Sequence, residues 1–191
     1  MRIQCVPTGF IQTNTYLFDC GGASAAVDPG AEADRILAAA EAWGKPIRYV
    51  LLTHAHWDHV GAVRALQDGG ARVFLHESDV KILKSDFTPD VLLRGGESLA
   101  LGDRTVTVLH TPGHTAGGVC YLCGGAMFSG DTLFRLEVGR CDLPTGNFAQ
   151  MKESLKKLFA LTNDYRVLPG HGEETTLGFE RTHNPYRTYT I

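Results

Sequence analysis

Six consecutive residues hold much of the reactive chemistry of this chain: His54-Ala55-His56-Trp57-Asp58-His59. Three imidazoles and one carboxylate in so short a run are hard to explain as solvated loop residues, and both groups are ligands for divalent cations. The run before them, Ile47 to Thr53, is continuously apolar and reads as a buried strand. In the extended chain leaving that strand, residues two apart face the same side, so His54 and His56 converge on one ion. Asp58 and His59 fall where a following helix begins, and the turn there aims them at a second ion beside the first. Imidazole nitrogen and carboxylate oxygen suit zinc, iron or manganese, with bonds of about 2.0 to 2.2 Å for zinc.

Three further turns use the same syntax, an apolar strand ending in a glycine-bounded polar residue. They are Thr111-Pro112-Gly113-His114-Thr115, Phe128-Ser129-Gly130-Asp131-Thr132 and Leu168-Pro169-Gly170-His171-Gly172. Each alone reads as an ordinary surface turn. Together, and after the first cluster, they read as the remaining ligands of one centre, because glycine permits the tight backbone that presents a side chain at a sheet edge.

The elements that must position these groups come in two series. Thr15 to Phe18 and Ala25 to Val27 read as strands parted by Gly21-Gly22, with Asp28-Pro29-Gly30 ending the second. Glu32 to Trp43 is alanine-rich and helical, stopping at Gly44. After the histidine run, Val60 to Gln67 reads as a helix, Arg72 to His76 as a strand, Glu77 to Leu83 as a short helix and Lys84 to Gly96 as a loop. The second series has strands over Leu99 to Leu101, Thr105 to His110, Gly118 to Leu122 and Ala126 to Ser129. An amphipathic helix follows over Asn147 to Leu161, then a last strand over Arg166 to Leu168. Two strand clusters with helices between and after them predict two sheets packed face to face with helices outside, an α+β fold.

At 191 residues the chain has the length of a single domain spanning 1–191. A hydrophobic fraction of 43% supports a full core, and a net charge of -3 offers no broad basic surface for nucleic acid. No apolar stretch approaches the roughly 20 residues that span a bilayer. The N-terminus lacks the apolar region of a secretory signal. The five scattered cysteines read as reduced thiols, so the expected setting is cytoplasmic and the expected partner a small molecule. Cys120 and Cys123 lie three apart in a strand and point to opposite faces, which favours packing over chelation. His76, His110 and His183 are left over and read as surface or packed histidines.

In this order, H-A-H-W-D-H, T-P-G-H-T, S-G-D-T-L-F and P-G-H-G resemble the metallo-β-lactamase superfamily, from about Gly9 to Pro185. Within it the chain is most similar to glyoxalase II (hydroxyacylglutathione hydrolase) and its short bacterial relatives. The resemblance implies a four-layer αββα sandwich with two divalent metal ions, zinc foremost and iron or manganese admitted, at one edge of the sheets. It implies that His54, His56 and His114 hold the first ion, that Asp58, His59 and His171 hold the second, and that Asp131 bridges both. Two cations lower the pKa of water toward neutrality, and Asp58 gains a second, catalytic role in orienting that water or handling its proton.

The segment Gly130 to Leu143 resembles the stretch of glyoxalase II in which a basic residue meets the glycine carboxylate of glutathione, and Arg140 occupies that place. An ion pair with Asp142 is the other reading of Arg140. Glyoxalase II carries a helical C-terminal domain that completes its glutathione site, whereas here residues 172–191 follow the last histidine and Gly172-Glu173-Glu174 replaces a tyrosine. A glutathione thioester or a smaller thioester is therefore the expected substrate. Gly139-Arg140-Cys141-Asp142 also resembles persulfide dioxygenases, which would place one iron on His54, His114 and Asp131. A lactonase fits less well, as does a β-lactamase, since the common dizinc lactamases use a cysteine on the second metal. A non-catalytic metal-binding scaffold is disfavoured by seven intact ligand positions.

Overall fold

Alternation along single strands sets the layers of this protein, whose computed structural model describes residues 1–190. The first sheet contains β1 (Ile3–Thr8), β2 (Thr13–Asp19), β3 (Ser24–Val27), β4 (Ile47–Leu51), β5 (Arg72–His76) and β6 (Val91–Leu93), in that spatial order. In β2, Tyr16 and Phe18 face one way and Leu17 the other, and all three are buried. Tyr16 and Phe18 join a core that lies between the two sheets, with Leu51, Phe74, Val106, Tyr121, Phe128 and Leu168. Leu17 joins an outer core with Ile36, Val50, Val63 and Leu66, under helices α1 (Ala33–Glu41) and α3 (Val63–Asp68). Each fully buried aliphatic or aromatic side chain of this kind contributes about 1.5 to 3 kcal/mol before entropy is charged.

The second sheet contains β7 (Ser98–Leu101), β8 (Arg104–His110), β9 (Val119–Cys123), β10 (Ala126–Gly130), β13 (Arg166–Pro169) and β14 (Thr175–Thr176), running β14-β13-β10-β9-β8-β7. Its outer face is covered by helix α4 (Phe148–Phe159), whose Met151, Leu155 and Leu158 pack on Cys120, Leu122 and Met127. A small hairpin, β11 (Leu133–Phe134) with β12 (Glu137–Val138), and helix α5 (Leu177–His183) complete this side. Helix, sheet, sheet, helix is the four-layer α+β sandwich expected from the pattern. Cys120 packs into the outer core and Cys123 into the inner one, as opposite strand faces require, and all five cysteines are free thiols.

Strand direction explains why the four motifs meet. β3, β4 and β5 are mutually parallel, as are β10 and β13, and β8 runs with β10 because both are antiparallel to β9. The turns after β4, β8, β10 and β13 therefore open at a shared edge. There the sheets are stitched together by backbone hydrogen bonds, Val119 N–H to the Thr53 carbonyl at 2.9 Å and Asn14 N–H to the Gly170 carbonyl at 2.8 Å.

Several elements depart from the sequence-based expectation, which gives no strand for β1, for the β11–β12 hairpin or for β14. The predicted loop Lys84 to Gly96 contains β6, a three-residue edge strand paired with β5 and too short to show alternation. The helix expected over Val60 to Gln67 starts earlier and is split into α2 (Trp57–Val60) and α3; at the break Ala62 N–H bonds to the Pro29 carbonyl at 2.9 Å, outside the helix, and Gly61 lies against the Gly30 carbonyl. Helix α5 lies among the residues after the last histidine, where the sequence pattern points to no element, and begins with Thr176 Oγ1 accepting from Phe179 N–H. No helix among the described residues is long and apolar enough to cross a membrane.

Candidate metal centre

The seven side chains singled out from sequence come together at the shared edge in two groups. His54, His56 and His114 form one, with ligand-capable atoms all within 4.8 Å of one another, and Asp58, His59 and His171 form the other on the same measure. Asp131 lies between them. Its Oδ2 is 3.4 Å from His114 Nε2 and its Oδ1 is 3.5 Å from His59 Nε2, so one carboxylate faces both groups. In the second group Asp58 Oδ2 lies 3.2 Å from both His59 Nε2 and His171 Nε2, and Thr13 Oγ1 donates to it at 3.1 Å.

The far side of each imidazole decides which nitrogen faces the centre. His114 Nδ1 donates to the Arg140 carbonyl at 2.7 Å, which leaves Nε2 as a lone pair. Thr53 Oγ1 donates to Asp28 Oδ2 at 2.6 Å and so accepts from His54 Nδ1 at 3.1 Å, turning the His54 Nε2 lone pair inward. His59 Nδ1 lies 3.0 Å from Asp28 Oδ2, which keeps the proton on that nitrogen. The inward atoms His54 Nε2 and Asp131 Oδ1 are buried with no hydrogen-bond partner. His56 Nδ1 and His114 Nε2 face each other at 2.9 Å and must share a proton or a cation. Buried, unpartnered and convergent lone pairs are what a divalent cation requires, so the donor set fits such an ion.

Charge differs between the groups. Burial and the surrounding imidazoles hold His54 well below its ordinary pKa, and the same causes take His56 down to about 4, so both are neutral donors. Asp58 goes the other way: burial alone would raise it, but the contacts from His171 and His59 hold it well below the usual carboxylate range. His59 is pushed up despite its burial, by the charges of Asp131 and Asp28, and His171 is pushed up by its hydrogen bond to Asp58.

Two buried carboxylates escaped the sequence reading. Asp28 accepts from Thr53 N–H at 2.7 Å as well as from the Thr53 hydroxyl, and touches His59, so it orients ligands in both groups. It sits in Asp-Pro-Gly after a strand, the same syntax as the ligand turns, and that was its available signal. Asp79 lies on the short 3₁₀ turn Glu77–Ile82 and has no exposure. It accepts from Ala55 N–H at 3.1 Å, Thr115 Oγ1 at 2.8 Å and Gly117 N–H at 2.6 Å. It thus ties the His54–His56 segment to the His114 loop. Backbone room matters once more at Gly170, where an added Cβ would collide with Asp131 Oδ1.

Of the remaining residues, Arg140 lies in the wall of the cavity above the donor ring and also forms the ion pair with Asp142, through two hydrogen bonds of 2.7 and 2.8 Å. His76 and His110 are packed on each other, ring centroids 4.1 Å apart, and His183 stacks on Phe179. All three stand away from the donor groups.

Donors of this kind at the paired edges of an αββα sandwich define a metallo-hydrolase. The chain belongs to the metallo-β-lactamase superfamily, whose family model matches residues 8–171. It is similar to the hydroxyacylglutathione hydrolase GloC of Haemophilus influenzae, at 33% identity over 97% of this chain and 98% of that one. Among solved structures, the B3 metallo-β-lactamase BLEG-1 superposes with a TM-score of 0.92 at 33% identity, covering 98% of this chain and 100% of the other. TTHA1623 in a di-iron-bound form gives 0.88 at 38% identity over 96% and 99%. ETHE1 from Myxococcus xanthus gives 0.88 at 30% identity over 100% and 88%.

Proposed function

We propose that this metallo-hydrolase cleaves a thioester of the hydroxyacylglutathione type, with two divalent ions, zinc by preference, held by His54, His56 and His114 and by Asp58, His59 and His171. The observation that supports it most is Asp131, whose single carboxylate lies within 3.4 Å of His114 in one donor group and 3.5 Å of His59 in the other. A divalent pair at those groups supplies Lewis acidity, lowering the pKa of water toward neutrality and polarising a carbonyl oxygen. The chain's own residues do the rest. Asp58 orients the attacking water, its Oδ2 steadied by the Thr13 hydroxyl. Trp57, Ile82, Phe134 and Leu143 line the cavity of about 750 Å³ over the ring and restrict bulk water around the reacting carbonyl. Arg140 lies in the same wall, its guanidinium paired with Asp142. The similarity to GloC supports the substrate class. The free thiols fit a reducing compartment, so a cytoplasmic setting belongs to the same proposal.

The test is metal quantification on protein purified without added metal, coupled to a panel of S-lactoylglutathione, a lactone, a β-lactam and glutathione persulfide. Two metals per chain and turnover of the lactoyl thioester are expected. A single iron with sulfite released from the persulfide would replace the reading with a dioxygenase, and turnover confined to the β-lactam would replace it with a lactamase.

A further inference from the structure

Cations and apolar groups are arranged unevenly around the mouth of the cavity. The carboxylates lining it are Asp58 and Asp131, and both face the donor ring. Its remaining charges are positive: Lys81 and Lys84 at the end of the 3₁₀ turn, and Arg140 on the loop after β12. Arg140 is already engaged, since two of its nitrogens meet both oxygens of Asp142, and that pair is close to neutral as seen from the cavity. Lys81 and Lys84 are exposed and have no ion pair among the described residues. Ile82 lies between them in sequence and also lines the cavity.

Apolar surface completes the mouth. Phe10 and Trp57 stack at 5.9 Å with their planes 19° apart, yet are 84% and 62% exposed, and Ile11 beside them is 40% exposed. Trp57 and Ile11 are cavity-lining residues. Large apolar side chains left open at a cavity that unpaired ammonium groups also line match a ligand with an apolar arm and an anionic end.

We propose that Lys81 and Lys84 form an anion subsite at the mouth of the catalytic cavity, which takes the carboxylate of an anionic thioester whose apolar arm lies along Ile11 and Trp57. The proposal rests on the thioester-hydrolase reading and names the residues that select its substrate. Two unpaired ammonium groups on a chain of net charge -3 concentrate the positive potential where the substrate enters. Lysine suits this task because its flexible stem follows a carboxylate placed on either the acyl or the thiol side of the ester.

The experiment measures binding, so its failure is separable from failure of the hydrolase reading. Calorimetry on the zinc-loaded protein compares (butylthio)acetate, a thioether that cannot be hydrolysed, with its neutral methyl ester. The carboxylate should bind about tenfold tighter than the ester, the gap of two screened contacts worth roughly 1.4 kcal/mol together. Lys81→Ala with Lys84→Ala should erase that gap while leaving the ester's affinity in place, and Lys81→Glu with Lys84→Glu should invert it. A gap that survives in both double variants means that the carboxylate binds the metals directly and overturns the proposal. So does a gap lost on Arg140→Ala and kept without the lysines. If the lysines hold the carboxylate but no thioester is turned over, the hydrolase reading fails and the subsite stands.

Discussion

The two donor groups lie side by side and are built on opposite electrostatic plans. The first, His54, His56 and His114, contains no carboxylate of its own, and burial keeps His54 and His56 neutral. The second, Asp58, His59 and His171, carries a carboxylate of its own and draws on Asp131 and Asp28 as well. Its carboxylate is held ionised by two imidazoles whose protonation it favours in return. Without a cation the second group is therefore held by ion pairs from Asp58 to both of its imidazoles, whereas the first has no carboxylate to pair with and leaves the His54 Nε2 lone pair buried without a hydrogen-bond partner. The difference shows that a metal site need not be organised by its ligands alone. The first group depends on outside carboxylates to hold its geometry, and Asp79 and Asp28 are those carboxylates.

The largest effect should come from removing what the groups share. Asp131→Ala takes away the carboxylate that faces both, and we expect metal lost from both groups and activity reduced by at least about 10³-fold, some 4 kcal/mol of transition-state stabilisation. His56→Ala should cost as much activity but leave the second group's metal in place. Metal content per folded chain, with circular dichroism to confirm folding, separates the two outcomes. Full activity in both variants would remove the proposed centre, and equal metal loss in both would erase the contrast drawn between the groups.

The next tier asks which carboxylate organises which group. Asp79→Asn keeps the volume but turns an amide N–H toward Ala55 N–H, the Thr115 hydroxyl or Gly117 N–H, all donors. Metal affinity at the first group should fall about 10- to 100-fold, the usual effect of losing an outer partner, with the second group untouched. Asp28→Asn should weaken both groups, because Asp28 reaches His54 through Thr53 and His59 directly. It should also lower stability by about 1 to 3 kcal/mol through an unsatisfied buried donor, roughly 2 to 4 °C of melting temperature per kcal/mol at this size. Identical metal profiles for the two variants would show that the contrast is not set by these carboxylates.

How much of this was legible beforehand follows from the range of each signal. Every ligand follows an apolar strand and has glycine or another ligand within two residues, so a few neighbouring residues suffice to mark it. The layers were legible for the same reason, since alternation within β2 or β9 is local. Asp79 was not, because its donors lie 24 to 38 residues away and its neighbours Glu77 and Lys81 read as a solvated face. Asp28 showed the right turn but not the threonine and histidine it would meet. Strand β6 owes its existence to pairing with β5, which no property of Val91-Leu92-Leu93 alone announces.

The smallest expected effect tests the boundary between the centre and its rim. Arg140 belongs to both, since its carbonyl fixes the His114 tautomer while its guanidinium is paired with Asp142 at the surface. Arg140→Ala leaves the carbonyl, so metal content and kcat should hold. The side chain's charge is already offset and screened, and an exposed pair of this kind contributes about 0 to 1 kcal/mol. KM for an anionic thioester should therefore rise by no more than about fivefold, with a smaller change for a neutral one. Asp142→Ala should act in the opposite direction, because it frees the guanidinium to attract the substrate and lowers KM for the anionic thioester. Were Arg140→Ala to depress kcat strongly at unchanged KM, the side chain would belong to the chemistry of the donor ring, and the line drawn between the centre and its rim would have to move outward to include it.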